Sequence, residues 1–288
     1  MTAPAPKFTT AAAVIRSPAL DLDATPERWH PGPPFDALDL RPGRVVLLGA
    51  PPGTGKTTLA LQVVVATLVT HPALRAVVGN VEMSAGSLVE KLLARLARVP
   101  LDAIMNRELA REQRERIDAA TADHAALLDR LAFLDAPYTL AHLGAAMVGF
   151  GARLCVVDYA QRFTTGDADD RAKLDRLMSG VRALAAAGAC VLLVSSVARQ
   201  KSKNGSSTYS GLSLAAFRGS AELEFGADSA FILHGSKDGA AALEAVKNRF
   251  GALTDIPLRF DGALQTFTAG DSLAMFDAAP EPAPRKRR

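Results

Sequence analysis

Cysteine is almost missing from this chain. Its two examples, Cys155 and Cys190, lie inside the apolar runs LCVVDY and ACVLLVSS and have no partners at metal-ligand spacing. That argues against a disulfide framework or a cysteine metal site, and both thiols read as small buried hydrophobes of a reduced, cytoplasmic protein. Long hydrophobic runs are missing too. The stretches over 59–69 and 183–197 are too short, or too interrupted by glycine and polar residues, to cross a bilayer. The start, MTAPAPKFTTAAAVIRS, lacks the basic end and apolar core of a secretory signal. A soluble protein with no membrane partner is the expectation. Charge of one sign is also lacking: 33 Lys and Arg face 30 Asp and Glu, and the last four residues, RKRR, carry four of those cations. Without them the balance is 29 against 30, so any nucleic-acid contact must come from local patches instead of a general field. Neither an internal repeat nor a sustained heptad pattern is present.

What is there is an ordinary globular composition, 49% hydrophobic and 22% charged over 288 residues, enough for one large α/β domain with tails. Residues 1–33 are Pro- and Ala-rich and end in HPGPP, which reads as a flexible lead. Residues 271–288, ending in APEPAPRKRR, read as a disordered, basic-ended tail. Between them, over 34–270, apolar runs alternate with helical patterns. Strands are expected at 44–50, 75–81, 131–136, 153–159 and 189–196, and helices at 55–70, 85–97, 108–130, 140–150, 171–187 and near 214–223. The continuous apolar runs imply strands covered on both faces, as in a mainly parallel sheet under crossover helices. SAFILHG, ALEAVKN, IPLRFDG and ALQTFTA finish the domain as strands, with an antiparallel extension among them.

The segment Ala50-Pro51-Pro52-Gly53-Thr54-Gly55-Lys56-Thr57 satisfies the Walker A pattern in its permissive form, between an apolar strand and a long apolar helix. Gly53 and Gly55 let the backbone curl so that its N–H groups face phosphates. Lys56 is placed to reach the β- and γ-phosphates of ATP, and the Thr57 hydroxyl to ligate Mg2+. Thr58, next on the helix, is counted with the nucleotide-binding residues. The helix N-terminus aims its positive end at the same anion.

A site of this kind needs a carboxylate at the end of a buried strand to hold magnesium, and Asp158, closing LCVVD, fits. Hydrolysis needs a second group to orient or deprotonate water. Glu82, in NVEMS directly after a strand, suits that role, since ligands sit at the carboxyl ends of parallel strands. It reads equally as a helix-start carboxylate favoured by the dipole.

The segments GAPPGTGKTTLALQ, NVEMSAGSLVEKLL, LCVVDYAQ, VLLVSSVAR, AVKNRFG and LRFDG, in this order over about 34–268, resemble the ATPase domain of DnaB-type replicative helicases, RecA-like P-loop ATPases of helicase superfamily 4. The resemblance implies a RecA-like α/β fold and a ring, usually a hexamer, with ATP held between subunits. Glu82 would be the water-activating carboxylate. Arg249 would reach the neighbour's γ-phosphate as an arginine finger, assisted by Lys247, although these two, taken alone, read as solvated edge charges. The loop over 199–213 stands where the family places single-stranded-DNA contacts, and its cations Arg199, Lys201 and Lys203, with Tyr209, suit backbone tracking. Taken alone, it reads equally as a plain solvated loop.

Two departures from the family pattern stand out. Ser196 occupies the position of a Gln that senses the γ-phosphate. Residues 1–33 are not expected to supply the family's helical primase-docking N-terminal domain, and Thr9–Arg16 is a short candidate for the linker helix that grips a neighbour. The expected function is an ATP-dependent, ring-forming DNA helicase or translocase, with a replication protein as a further partner. A RecA-like regulatory or loading ATPase that binds a protein without unwinding is the alternative, and a nucleotide-binding module with little turnover is a third.

Overall fold

The computed structural model describes residues 9–17, 21–163, 170–197, 200–201, 207–208, 212, 216–217, 221–235 and 238–270. The short helix α1 (Ala11–Ile15), capped by the Thr10 hydroxyl, buries none of its residues. β1 (Val45–Ala50) follows, buried along its whole length, and feeds α2 (Lys56–Thr70). β2 (Ala76–Asn80) is buried throughout and leads to α3 (Ala85–Ala97), whose cap is Ser84. α4 (Leu101–Asn106), α5 (Arg111–Asp123) and α6 (Ala125–Leu128) come next, then β3 (Leu131–Phe133) and α7 (Leu140–Phe150). β4 (Leu154–Asp158), α8 (Asp170–Ala186) and β5 (Cys190–Ser196) complete the parallel half. The rest is β6 (Gln200–Lys201), β7 (Ser207–Thr208), α9 (Ala221–Gly226), β8 (Ser229–Gly235), β9 (Ala240–Asn248), β10 (Ile256–Asp261) and β11 (Thr266–Ala269).

Among the described residues, nine strands form one sheet in the order β11-β10-β9-β8-β1-β5-β4-β2-β3. The six from β8 to β3 are parallel, and β9, β10 and β11 add on antiparallel, as the residue pattern implies. Because strand side chains alternate, β1 serves two cores. Val46 and Leu48 pack on one face with Leu59, Val63 and Val64 of α2, while Val45 and Leu47 pack on the other with Leu177 and Val181 of α8. The cysteines divide in the same way, Cys190 on the first face and Cys155 on the second, both free. Burial pushes both thiols up, Cys190 to about 12.

Local details differ from the expectations. The helix over 108–130 breaks at His124, whose ring meets the Ala120 carbonyl at 2.9 Å; α5 buries Ala120 alone, so little packing carries it further. α4, six residues long, is too short to show a period in the sequence. Of the helix expected near 214–223, α9 (Ala221–Gly226) is described, and residues 214–215 and 218–220 lie outside the described residues. The last part of the lead expected over 1–33 lies against the domain: Trp29 is buried, its main-chain N–H donates to the Leu40 carbonyl at 2.7 Å, and Glu27 pairs with Arg153. The tail over 271–288 lies outside the described residues. Among the described residues no helix is long and apolar enough to cross a membrane.

Candidate functional site

Close packing sets the phosphate loop. A Cβ on Gly49 would stand 2.5 Å from the Phe217 ring, so β1 approaches its neighbours there as glycine alone permits. The chain then turns through Gly53 and Gly55 at φ +80° and +88°, and the Thr54 hydroxyl closes the loop on the Pro51 carbonyl at 2.8 Å. Gly55 rests on the stacked rings of Phe260 and Phe267 from β10 and β11.

At the carboxyl ends of β2 and β4, Asn80 and Asp158 are register partners. Asp158 Oδ2 accepts from the Thr57 hydroxyl at 2.6 Å and from Asn80 Nδ2 at 2.7 Å. Asp158 Oδ1 is buried with no hydrogen-bond partner among the described residues. Burial raises the Asp158 pKa; the Thr57 bond and the Lys56 charge pull it down, Glu82 pushes it up, and the Asn80 bond lowers it. Of the six residues read from the sequence as catalytic or magnesium groups, Lys56, Thr57, Glu82 and Asp158 are gathered around one spot, while Arg249 and Lys247 are not. Lys56 Nζ lies 5.5 Å from the centre of the Tyr159 ring.

Asn80 escaped the sequence reading. Its Oδ1 accepts from the main-chain N–H groups of Glu82 and Met83 at 2.9 and 2.7 Å, so one carboxamide fixes the Glu82 turn to Asp158. The signal for it was a polar residue closing an apolar strand two places before Glu82. Glu82 is exposed and stands two residues before the Ser84 cap of α3.

The donors present fit magnesium. A hydroxyl and a carboxylate with an orphaned buried oxygen are hard ligands, and magnesium takes one or two carboxylates together with substrate phosphates. No cluster of three or more His, Cys, Asp or Glu competes as a metal cage among the described residues.

Other expected residues are distributed differently. Thr58 turns its hydroxyl to Gln265 Oε1 at 2.8 Å, so its side chain ties α2 to the β10–β11 hairpin instead of facing the loop. Ser196 pairs in register with Ala50, beside the loop, and lies 3.4 Å from Gln161 Oε1; Gln161 Nε2 also donates to Ser195 at 2.8 Å. Lys247 and Arg249 are not brought to Lys56 within the chain. Asn248 pairs with Ser229 at the start of β8, whereas Gly235 at its far end faces Thr54. Six residue steps of strand separate those ends by about 20 Å. Lys247 Nζ donates to the Glu224 and Phe225 carbonyls. Its pKa is lowered by burial and by Arg249. Arg199, Lys203 and Tyr209 lie outside the described residues. The backbone of Lys201 pairs with Ser207 in the two-stranded antiparallel sheet of β6 and β7.

The family described as "DnaB-like helicase C terminal domain" matches residues 37–269. The chain belongs to this family. As a DnaB-like member it carries a helicase-type ATPase domain, in agreement with the order of its motifs. It is similar in structure to a solved ATPase domain, with a TM-score of 0.69 and 17% identity, over 80% of this chain and 86% of that one. It is similar to a DnaB-like replicative helicase, solved in a study of its interactions with primase, at the same TM-score and identity. There the match covers 80% of this chain but 58% of the helicase. No curated protein matches in sequence.

Proposed function

We propose that this chain is an ATP-dependent motor that assembles as a ring, with a hexamer the expected size, and moves along single-stranded DNA as a helicase or translocase of the replicative type. ATP and magnesium bind at the carboxyl ends of β1, β2 and β4, between neighbouring subunits. Lys56 offsets charge on the β- and γ-phosphates, and the main-chain N–H groups of the Gly53–Gly55 turn and of the first turn of α2, up to Thr58, receive the phosphate oxygens. Thr57 and Asp158 would hold magnesium, which would supply charge neutralisation to the triphosphate. Glu82, its turn pinned by Asn80, orients the attacking water and accepts its proton. Arg249 of one subunit, with Lys247 beside it, meets the γ-phosphate held by the next. Ser196 serves the γ-phosphate side of the loop, and Arg199, Lys201 and Lys203 contact the DNA backbone. α1, with Ile15 70% exposed, suits a grip on the neighbour.

The observation that carries this reading is the separation of Arg249 from the phosphate loop by the length of β8. A finger at that distance serves a second copy or nothing. Exposed Phe225, Phe250 and Leu253 beside it supply apolar surface for such a copy. The test mixes two inactive variants. Arg249→Ala subunits keep their phosphate loops and Lys56→Ala subunits keep their fingers, so mixed assemblies contain some repaired interfaces. A finger is worth about 10³–10⁵ in rate, so ATP turnover returns visibly on mixing. Absence of recovery between variants shown to assemble and exchange defeats the trans arrangement. Failure of single-stranded DNA to stimulate turnover would favour a regulatory or loading ATPase instead.

A further inference from the structure

The geometry points to Asp228 as the residue that positions Arg249 for the neighbour's nucleotide; the inference rests on the trans reading of Arg249. Asp228 stands where α9 passes into β8, 2% exposed, in a sequence context (GADSAFIL) that carries no motif signal. Its main chain and side chain are fastened to the start of β1: its N–H donates to the Val45 carbonyl at 2.8 Å, and its Oδ2 accepts from the Val45 N–H at 2.9 Å. Oδ2 also accepts from Arg182 at 2.7 Å. The carboxylate therefore has no freedom of its own.

Arg249 is held at three points. Its main-chain N–H donates to the Asp228 carbonyl at 2.8 Å, Nη1 to Asp228 Oδ1 at 3.2 Å, and Nη2 to the Phe225 carbonyl at 2.9 Å. A guanidinium has five N–H donors, and these bonds occupy two of them. The side chain is 45% exposed, which leaves donors facing outward for a phosphate. An unrestrained arginine loses much rotamer freedom when it docks, and this clamp removes that loss beforehand.

A carboxylate beside a finger would ordinarily cancel its charge. Here Arg182 shares the same carboxylate and Lys247 stands close by, so three cations face one buried acid, with Glu224 the further acid acting on Lys247. The group stays cationic toward a triphosphate while each guanidinium is held in place. Asp228 is thus a positioning residue, acting through Arg249 without touching substrate.

The test uses the full chain and the variants Asp228→Asn and Asp228→Glu, after solution mass and thermal midpoints have established assembly. Glu keeps the charge but displaces the finger by one methylene, and it carries the test alone if the Asn variant does not assemble. Displacement of a catalytic group by about 1 Å costs on the order of 100-fold, so kcat falls roughly 10- to 100-fold in both. KM for ATP stays within about twofold, because each variant keeps its own phosphate loop. Mixing either variant with Lys56→Ala subunits, whose fingers and clamps are intact, restores turnover. An unchanged kcat overturns the inference. So does a loss that mixing leaves in place while the Arg249→Ala and Lys56→Ala mixture recovers, since the lesion then lies in the variant's own site. If that control mixture itself stays inactive, the trans reading falls and this inference falls with it.

Discussion

Asp158 and Asp228 are equally buried, each 2% exposed, at opposite ends of the same sheet, yet their surroundings differ in kind. Asp228 has both oxygens engaged, by a main-chain N–H and two guanidinium groups. Asp158 has one oxygen engaged by neutral donors and the other engaged by nothing among the described residues. A buried carboxylate oxygen without a partner is costly, and a fold that keeps one has left room for a ligand. The difference separates a carboxylate with one oxygen left unengaged among the described residues from one whose two oxygens are both held.

The largest expected effect tests the open end. Lys56→Ala removes the direct counter-charge to the β- and γ-phosphates, and ATP turnover falls by about 10³ or more, measured as phosphate release. Wild-type turnover in that variant removes the nucleotide site from the loop. Next comes Glu82→Gln, which keeps ATP affinity while hydrolysis drops well over tenfold, since the amide accepts no proton. Equilibrium nucleotide binding read beside turnover checks the split; a loss under about tenfold moves the base to another residue.

The contrast between the two acids is sharpened by stability measured without nucleotide or divalent metal. Asp228→Asn lowers it by about 1–2 kcal/mol, a figure kept small because both guanidinium groups are nearly half exposed. Asp158→Asn leaves stability unchanged or raises it by up to about 1 kcal/mol, because a buried charge held by neutral donors on one oxygen only disappears. Thermal denaturation reads both, at about 2–4 °C for each kcal/mol in a domain of this size. Equal losses in the two variants would erase the contrast. Added magnesium and ATP then raise the midpoint of the wild type and not of Asp158→Asn.

The smallest effect concerns the segment of β6 and β7. Changing Lys201 and Lys203 to Ala makes the salt dependence of single-stranded DNA binding shallower by about 0.7 for each phosphate that is no longer neutralised. Binding titrations across salt concentrations measure the slope, and an unchanged value returns the loop to an ordinary solvated one.

Much of the molecule was legible in residue order. The apolar runs became β1, β2, β4 and β5 nearly residue for residue, because a strand buried on both faces must be apolar throughout. The turn through Gly53 and Gly55 was legible for a similar reason: glycines at fixed spacing answer a local backbone requirement that neighbours in sequence alone can meet. Tertiary structure decided what depended on partners distant along the chain. Asn80 meets Asp158 across 78 residues, Thr58 meets Gln265 across 207, and Asp228 gathers Val45 from 183 residues away. No period or spacing encodes such pairs, because they arise when strands from separate segments are laid side by side. The same holds for Arg249. Its motif was readable as a local string, but its distance from its own phosphate loop follows from β9 running antiparallel to β8, a direction that the sheet alone sets.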